Sequence, residues 1–234
     1  MAINTVMAKK KGRKRDIPFC ADPENRVLVT TREGSFWRKK RMKGKLNASF
    51  AKNVDLSKIS GPAARNVVGK LRPYLRGIDT GRITLRVSNA LRNGLKEKGE
   101  MRLGALEGAE MQRDHPMHQL LLAPYEVSQE NPVIRIVVTV GNHCVKKQNR
   151  LATHFYFEAF MLYGDPAKAT SLRVGTTESK LYAFGEEPDE KCELRLSLPE
   201  GDVSWMVLVK LSCLEGNEMA HHPMHYAMKV VKGS

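Results

Sequence analysis

Nothing in this 234-residue chain approaches eighteen consecutive apolar residues. The longest apolar-rich runs, Val133–Val140 and Phe155–Tyr163, are strand-sized, so no membrane span is expected. The N-terminus has no apolar stretch of the kind a secretory signal needs. Cysteine is scarce: Cys20, Cys144, Cys192 and Cys213, widely spaced and with no CxxC pair. That excludes a disulfide framework or a thiolate zinc knuckle of the usual spacing. Cys144, Cys192 and Cys213 lie in or beside apolar runs and read as buried free thiols, which points to a cytoplasmic chain. No Walker A loop, dinucleotide-binding glycine fingerprint, Ser/His/Asp set or Cys/His set can be read from the sequence. A reaction is therefore not specified, and the expected function is non-enzymatic.

What the chain does have is charge, and it is unevenly placed. The formal net charge is +14. Residues 1–105 hold 26 Lys/Arg against 8 Asp/Glu, a formal +18, whereas residues 106–234 hold 13 against 17, a formal −4. A basic half of this size implies acidic partners: nucleic acid, an acidic protein surface or anionic lipid.

Lys9, Lys10, Lys11, Arg13, Lys14 and Arg15 place six positive charges in seven residues. A block like this repels itself and is expected to be disordered when free, an arm for phosphates or acidic side chains. A second cluster, Arg38, Lys39, Lys40, Arg41 and Lys43, follows the β-like segment Val27–Trp37, with Phe36 and Trp37 beside it. Aromatics among cations can stack on bases, or simply pin a hairpin to its domain.

Ser57–Gly61 reads as a turn, with Pro62 at the first position of a helix. Ala64, Val67, Val68 and Leu71 follow helical spacing, and Pro73 should end that helix. A second helix is expected from Asp79 or Thr80 to Gly99, with Ile83, Val87, Leu91 and Leu95 inside and Arg82, Arg86, Arg92 and Lys96 outside. The pair has few Asn, Gln or Ser side chains for reading base edges, so contact with phosphates or acidic protein is expected rather than sequence-specific recognition.

Beyond Gly99 the period changes to two. Ile134, Ile136, Val138 and Val140 share a face, as do Cys192, Leu194, Leu196 and Leu198. Trp205, Val207, Val209 and Leu211 form a third row, with Met206 and Leu208 opposite, as in a central strand. Turn-forming Gly/Pro/Asp clusters separate these rows. The expected fold is α+β overall: a mainly β body, an antiparallel sandwich or partly open barrel, with a basic two-helix N-terminal region. The expected divisions are a basic arm over 1–25, a hairpin and two helices over 26–100, and the β domain over 101–234.

The β domain carries one motif twice: LEGAEMQRDHPMH at 106–118 and LEGNEMAHHPMH at 214–225. Imidazole and carboxylate are ligands for zinc, iron or manganese, so Glu110, His115, His118, Glu218, His222 and His225 are the candidate metal set if the copies converge. The proline in HPMH disfavours helix at the preceding histidine, which argues against the helical His-x-x-x-His geometry of zinc enzymes. The alternatives are an acid–base pair, or a structural corner in which glutamates and histidines satisfy backbone groups.

The runs SKISGPAARNVVGKLRPYLRGIDTGRITLRVSNALR and WMVLVKLSCLEGNEMAHHPMHYAMKVV resemble parts of an uncharacterised protein family of Bacteroidetes genomes. The resemblance spans approximately residues 25–232. It implies a basic N-terminal segment, a helical middle and a β-rich remainder in one architectural unit; it implies no activity and transfers no site residue. The expected role is a structural or assembly protein, oligomeric, whose basic region contacts an acidic protein surface or its own neighbouring subunits. Non-specific nucleic-acid binding is the alternative, and a metal-dependent enzyme with a divalent ion such as zinc the further one.

Overall fold

The computed structural model describes residues 6–10, 13–17, 20, 24, 26–31, 34–39, 48–186 and 188–234. It divides into two compact units, residues 1–51 and 52–234.

The first unit is built from hairpins. Strand β1 (Val6–Lys10) pairs antiparallel with β2 (Arg13–Ile17), and β3 (Arg26–Thr30) with β4 (Ser35–Lys39). The arm expected over 1–25 lies in large part outside the described residues, with Val6–Lys10 and Arg13–Ile17 as its paired segments. Pairing satisfies backbone N–H and C=O groups along the strands, and in the second hairpin Leu28 stands opposite Trp37. The basic residues Lys11, Lys40, Arg41 and Lys43 lie outside the described residues.

Helix α1 (Ala48–Leu71) runs straight through the expected Ser57–Gly61 turn and through Pro62. The reason lies on its inner face. Ser60, Ala63, Ala64, Val67 and Leu71 form one buried stripe, and the Ser60 hydroxyl meets Ser88 at 3.1 Å. A small-residue face that packs closely outweighs the local cost of the proline, whose ring is on the exposed side. Pro73 does end the helix, in a short 3-10 turn at Arg72–Tyr74. Helix α2 (Ile83–Lys98) starts three or four residues later than expected, behind Arg82 in left-handed conformation, and ends at Gly99 with φ +74°. From Lys52 onward α1, and all of α2, belong to the second unit, where their apolar stripes are buried on a sheet.

After a single helical turn, α3 (Met117–Leu120), the rest is strands: β5 (Tyr125–Glu130), β6 (Val133–Val140), β7 (Ala152–Tyr163), β8 (Arg173–Glu178), β9 (Tyr182–Ala183), β10 (Glu190–Ser197), β11 (Trp205–Glu215), β12 (Glu218–Met219) and β13 (Tyr226–Gly233). A three-stranded antiparallel sheet has the order β10-β6-β5. A six-stranded antiparallel sheet centres on β7 and β11, with β8 and β9 outside β7 and β12 and β13 outside β11. The two sheets stay separate, so the fold is a sandwich and not a closed barrel.

Two cores follow from the period-2 pattern of the central strands. On one side Phe155, Phe157, Val207, Val209 and Leu211 pack against Ile134, Ile136, Val138 and Leu194 of the smaller sheet. On the other, Phe160, Leu162, Met206, Leu208 and Val230 pack against Ala64, Val67, Ile83, Val87 and Leu91 of the helices. The order is helices, large sheet, small sheet, and β11 is buried on both faces because it lies in the middle layer. Cys144, Cys192 and Cys213 are buried and form no disulfide among the described residues; burial pushes the Cys213 thiol up to about 12, so it stays protonated.

Candidate functional site

The two motif copies converge at one corner of the large sheet. Each begins with Leu-Glu-Gly, and each glycine has positive φ, +82° at Gly108 and +64° at Gly216, which a side chain would resist. In the second copy this turn joins β11 to β12. In the first copy it lays residues 108–111 alongside β13. Gly108 N–H donates to Val230 C=O at 2.9 Å, Val230 N–H to Ala109 C=O at 2.9 Å, and Met111 N–H to Met228 C=O at 2.7 Å. The first copy thus acts as a short extra strand beside the strand that leaves the second.

The motif side chains are spent largely on backbone groups. Glu107 accepts from Gly233 N–H at 3.1 Å and Glu110 from Met117 N–H at 3.1 Å, at the start of α3. Burial raises the Glu110 pKa, opposed by that N–H and by Lys229 and His118. In the second copy the corresponding turn, Pro223–His225, is capped differently: His222 Nδ1 accepts from Met224 N–H at 3.2 Å. Both HPMH segments form a helical turn that begins at or just after the proline, where its fixed φ suits the position and its missing N–H costs nothing.

Gln112, which follows the first Glu-Met, joins three segments. It is fully buried; its Oε1 accepts from Asp79 N–H at 3.0 Å and its Nε2 donates to Pro223 C=O at 2.8 Å. It ties the loop between α1 and α2 to both motif copies. Its counterpart in the second copy is Ala220, so the repeat gives no sign of this role.

The six metal candidates are not assembled as ligands. His225 is fully buried, its Nε2 3.1 Å from Asn149 Nδ2 and 3.6 Å from Glu215 Oε1. His115 and His222 are near enough to act on it electrostatically; His118, Glu218 and His222 itself are exposed. Among the described residues, no three of His, Cys, Asp and Glu come together to hold an ion.

The His225 tautomer can be deduced. Asn149 Oδ1 accepts from Ala152 N–H at 2.9 Å, so its amide nitrogen faces Glu215 and His225. Nε2 of His225 is then an acceptor and the proton sits on Nδ1, which is buried and has no hydrogen-bond partner among the described residues. Burial is the main cause of a lowered His225 pKa; Glu215 opposes it, and His222 and His115 add to it. The unfolded chain therefore binds a proton here more readily than the folded one. Stability from this group is full above the ordinary histidine value of 6.5 and is lost as pH falls below it. In urea unfolding, the stability gap between the wild type and His225→Gln should narrow from pH 8 to pH 5. A gap that stays constant over that range contradicts the assignment.

A second polar cluster crosses the helix-facing side of the same sheet. Lys210 on β11 is only 2% exposed; its Nζ is 3.0 Å from Glu158 Oε2 on β7 and 5.9 Å from the centre of the Tyr226 ring. Glu158 also accepts from Ser212 Oγ at 3.1 Å. Burial, then the Glu158 charge, raises the pKa of Tyr156. On the same strand, His154 Nδ1 lies 2.9 Å from Thr153 Oγ1 rather than on Glu158.

The basic candidates separate into two kinds. Arg38, Lys39, Arg82 and Lys96 are exposed, and Arg92 Nη1 is 3.4 Å from Ser57 Oγ. Lys9, Lys10, Arg13, Lys14 and Arg15 lie on β1 and β2. Arg86, expected on the outer face of α2, is turned inward: its guanidinium donates to Gly81 C=O at 3.1 Å and to Met111 C=O at 2.5 Å. It braces the helix against the first motif copy.

The chain matches no family model, no curated protein and no solved structure. No helix among the described residues is long and apolar enough to cross a membrane.

Proposed function

We propose that this protein is a non-enzymatic assembly protein that uses its basic N-terminal region to grip an acidic partner, either another protein's acidic surface or a neighbouring copy of itself. The observation that carries this reading is the strand register of the first unit. Lys9 is paired with Lys14, Lys10 with Arg13, and Arg26 with Lys39. Like charges directly opposite one another destabilise a hairpin, by up to roughly 1 kcal/mol a pair. The Arg26–Lys39 rung, with both residues exposed, is a standing cost in the free protein, and an acidic partner relieves it. The motif corner supports the same reading from the other side, since its polar groups hold backbone in place and brace the helical layer.

Nucleic acid is the second reading, favoured by Phe36. It is 50% exposed on β4, two residues from Arg38 and three from Lys39. A cationic two-stranded ribbon fits a major groove, and an exposed aromatic beside it can stack on an unpaired base. Fluorescence anisotropy with a labelled polyglutamate and a labelled oligonucleotide of equal charge, at 50 and 200 mM salt, tests both. Contact with 6–10 phosphates gives about a thousandfold or greater loss of oligonucleotide affinity over that range. Stronger binding of polyglutamate supports the assembly role, and stronger binding of the oligonucleotide supports the second reading. No binding of either probe at 50 mM overturns both.

A further inference from the structure

We propose that the cleft between the end of α1 and the start of α2 is a binding site for a phosphate ester of about nucleotide size. The cleft has a volume of about 390 Å³, within the range of small-ligand sites. Arg72, Arg76, Thr80 and Thr84 line it, over an apolar floor that includes Val68 and Ile83. This is a site separate from the basic hairpins, and it lies wholly within the second unit.

Three observations carry the assignment. The first is free positive charge. Arg72 and Arg76 are exposed, and among the described residues neither forms an ion pair. The acid in the same loop, Asp79, is exposed and does not line the cleft, and its Oδ1 accepts from Gly81 N–H at 2.8 Å. Two guanidinium forks with two threonine hydroxyls are a donor set suited to phosphate oxygens, and they supply no acceptor that would repel them beyond the hydroxyls themselves.

The second is rigidity. The loop that carries Arg76 and Thr80 is fixed from below: Gln112 accepts from Asp79 N–H, Gly77 lies against the Tyr226 ring, and Leu75 and Ile78 are buried. A loop held this firmly presents its cations without a large ordering cost, which is what makes a small-anion site effective. The third is the floor. Bare phosphate needs no apolar surface, whereas the sugar or ring of an ester covers Val68 and Ile83 and gains from leaving water. A free nucleotide and a nucleotide unit of a nucleic-acid chain present the same chemistry, and the test separates them.

The experiment is an amide-resolved NMR titration of the full chain with inorganic phosphate, adenosine monophosphate and a short single-stranded oligonucleotide. It is repeated on Arg72→Gln/Arg76→Gln and on a variant with Lys9, Lys10, Arg13 and Lys14 all changed to Gln. The expected result is saturable shifts at Thr80 and Thr84, tighter for the monophosphate than for inorganic phosphate. The arginine pair variant should weaken binding at least about tenfold, and the hairpin variant should leave it unchanged. Shifts with the oligonucleotide alone, lost in the arginine variant, assign the site to phosphates borne on a chain. No saturable shift with any of the three probes overturns the proposal, as does binding that survives the arginine changes. Binding lost in the hairpin variant but not in the arginine variant also overturns it, because the ligand then belongs to the first unit.

Discussion

Glu158→Leu lowers the stability of the protein by roughly 3 kcal/mol, and adding Lys210→Met restores most of that loss. Lys210 sits in the middle layer, too enclosed for its amine to reach water, and Glu158 supplies the counter-charge at 3.0 Å. Removing one member of a buried ion pair leaves the other charged and desolvated, which costs about 3–5 kcal/mol; replacing both by apolar side chains is often neutral or better. One opposing effect must be weighed. Glu158 stands opposite Glu178 on β8, so its removal also relieves a like-charge pair, but that gain is at most about 1 kcal/mol. The lost ion pair wins. Urea unfolding of the wild type, both single variants and the double variant completes the cycle. A double variant no more stable than Glu158→Leu contradicts the pairing.

Gly77→Ala costs about 3 kcal/mol. Gly77 has φ +81°, and a β-carbon there would be 2.5 Å from the Tyr226 ring. The left-handed conformation costs an L side chain roughly 1–2 kcal/mol, and forcing a methyl group into a filled core costs about 1–3 more. The ring has nowhere to go: Tyr226 is fully buried and its hydroxyl donates to the Ala220 carbonyl. Gly69→Ala is the control. That glycine is exposed within α1, with nothing within 4 Å of the added carbon, and the change should be neutral or slightly stabilising, since alanine favours helix. Thermal unfolding of the two variants side by side checks this; equal melting points contradict the packing of the α1–α2 loop on β13.

Much of the β region was legible because its signal is local. Ile134, Ile136, Val138 and Val140 alternate, and all four are buried in the core between the sheets. Apolar residues on both faces of β11 marked it as a central strand; that one of those faces is covered by the helices was not legible. Gly99 and Pro73 ended their helices as local backbone chemistry requires. The failures came where long-range packing overrode local preference. Pro62 marks a helix start in most sequences, but here the stripe from Ser60 to Leu71 carries the helix past it. Arg86 has the spacing of an outer-face cation and is drawn inward by Gly81 and Met111, which no helical wheel reveals. The convergence of the motif copies was legible as a possibility. What the residues do there was not, because Gln112 and Asn149 act through partners distant in sequence, at Pro223 and His225.

The central claim is that the basic N-terminal region is an electrostatic gripping element. Its most direct test is the binding of labelled polyglutamate at 50 mM salt by the wild type and by the Lys9/Lys10/Arg13/Lys14→Gln variant. The account predicts binding that falls steeply by 200 mM salt and weakens at least about tenfold in the variant. Binding of equal strength in both proteins would contradict it.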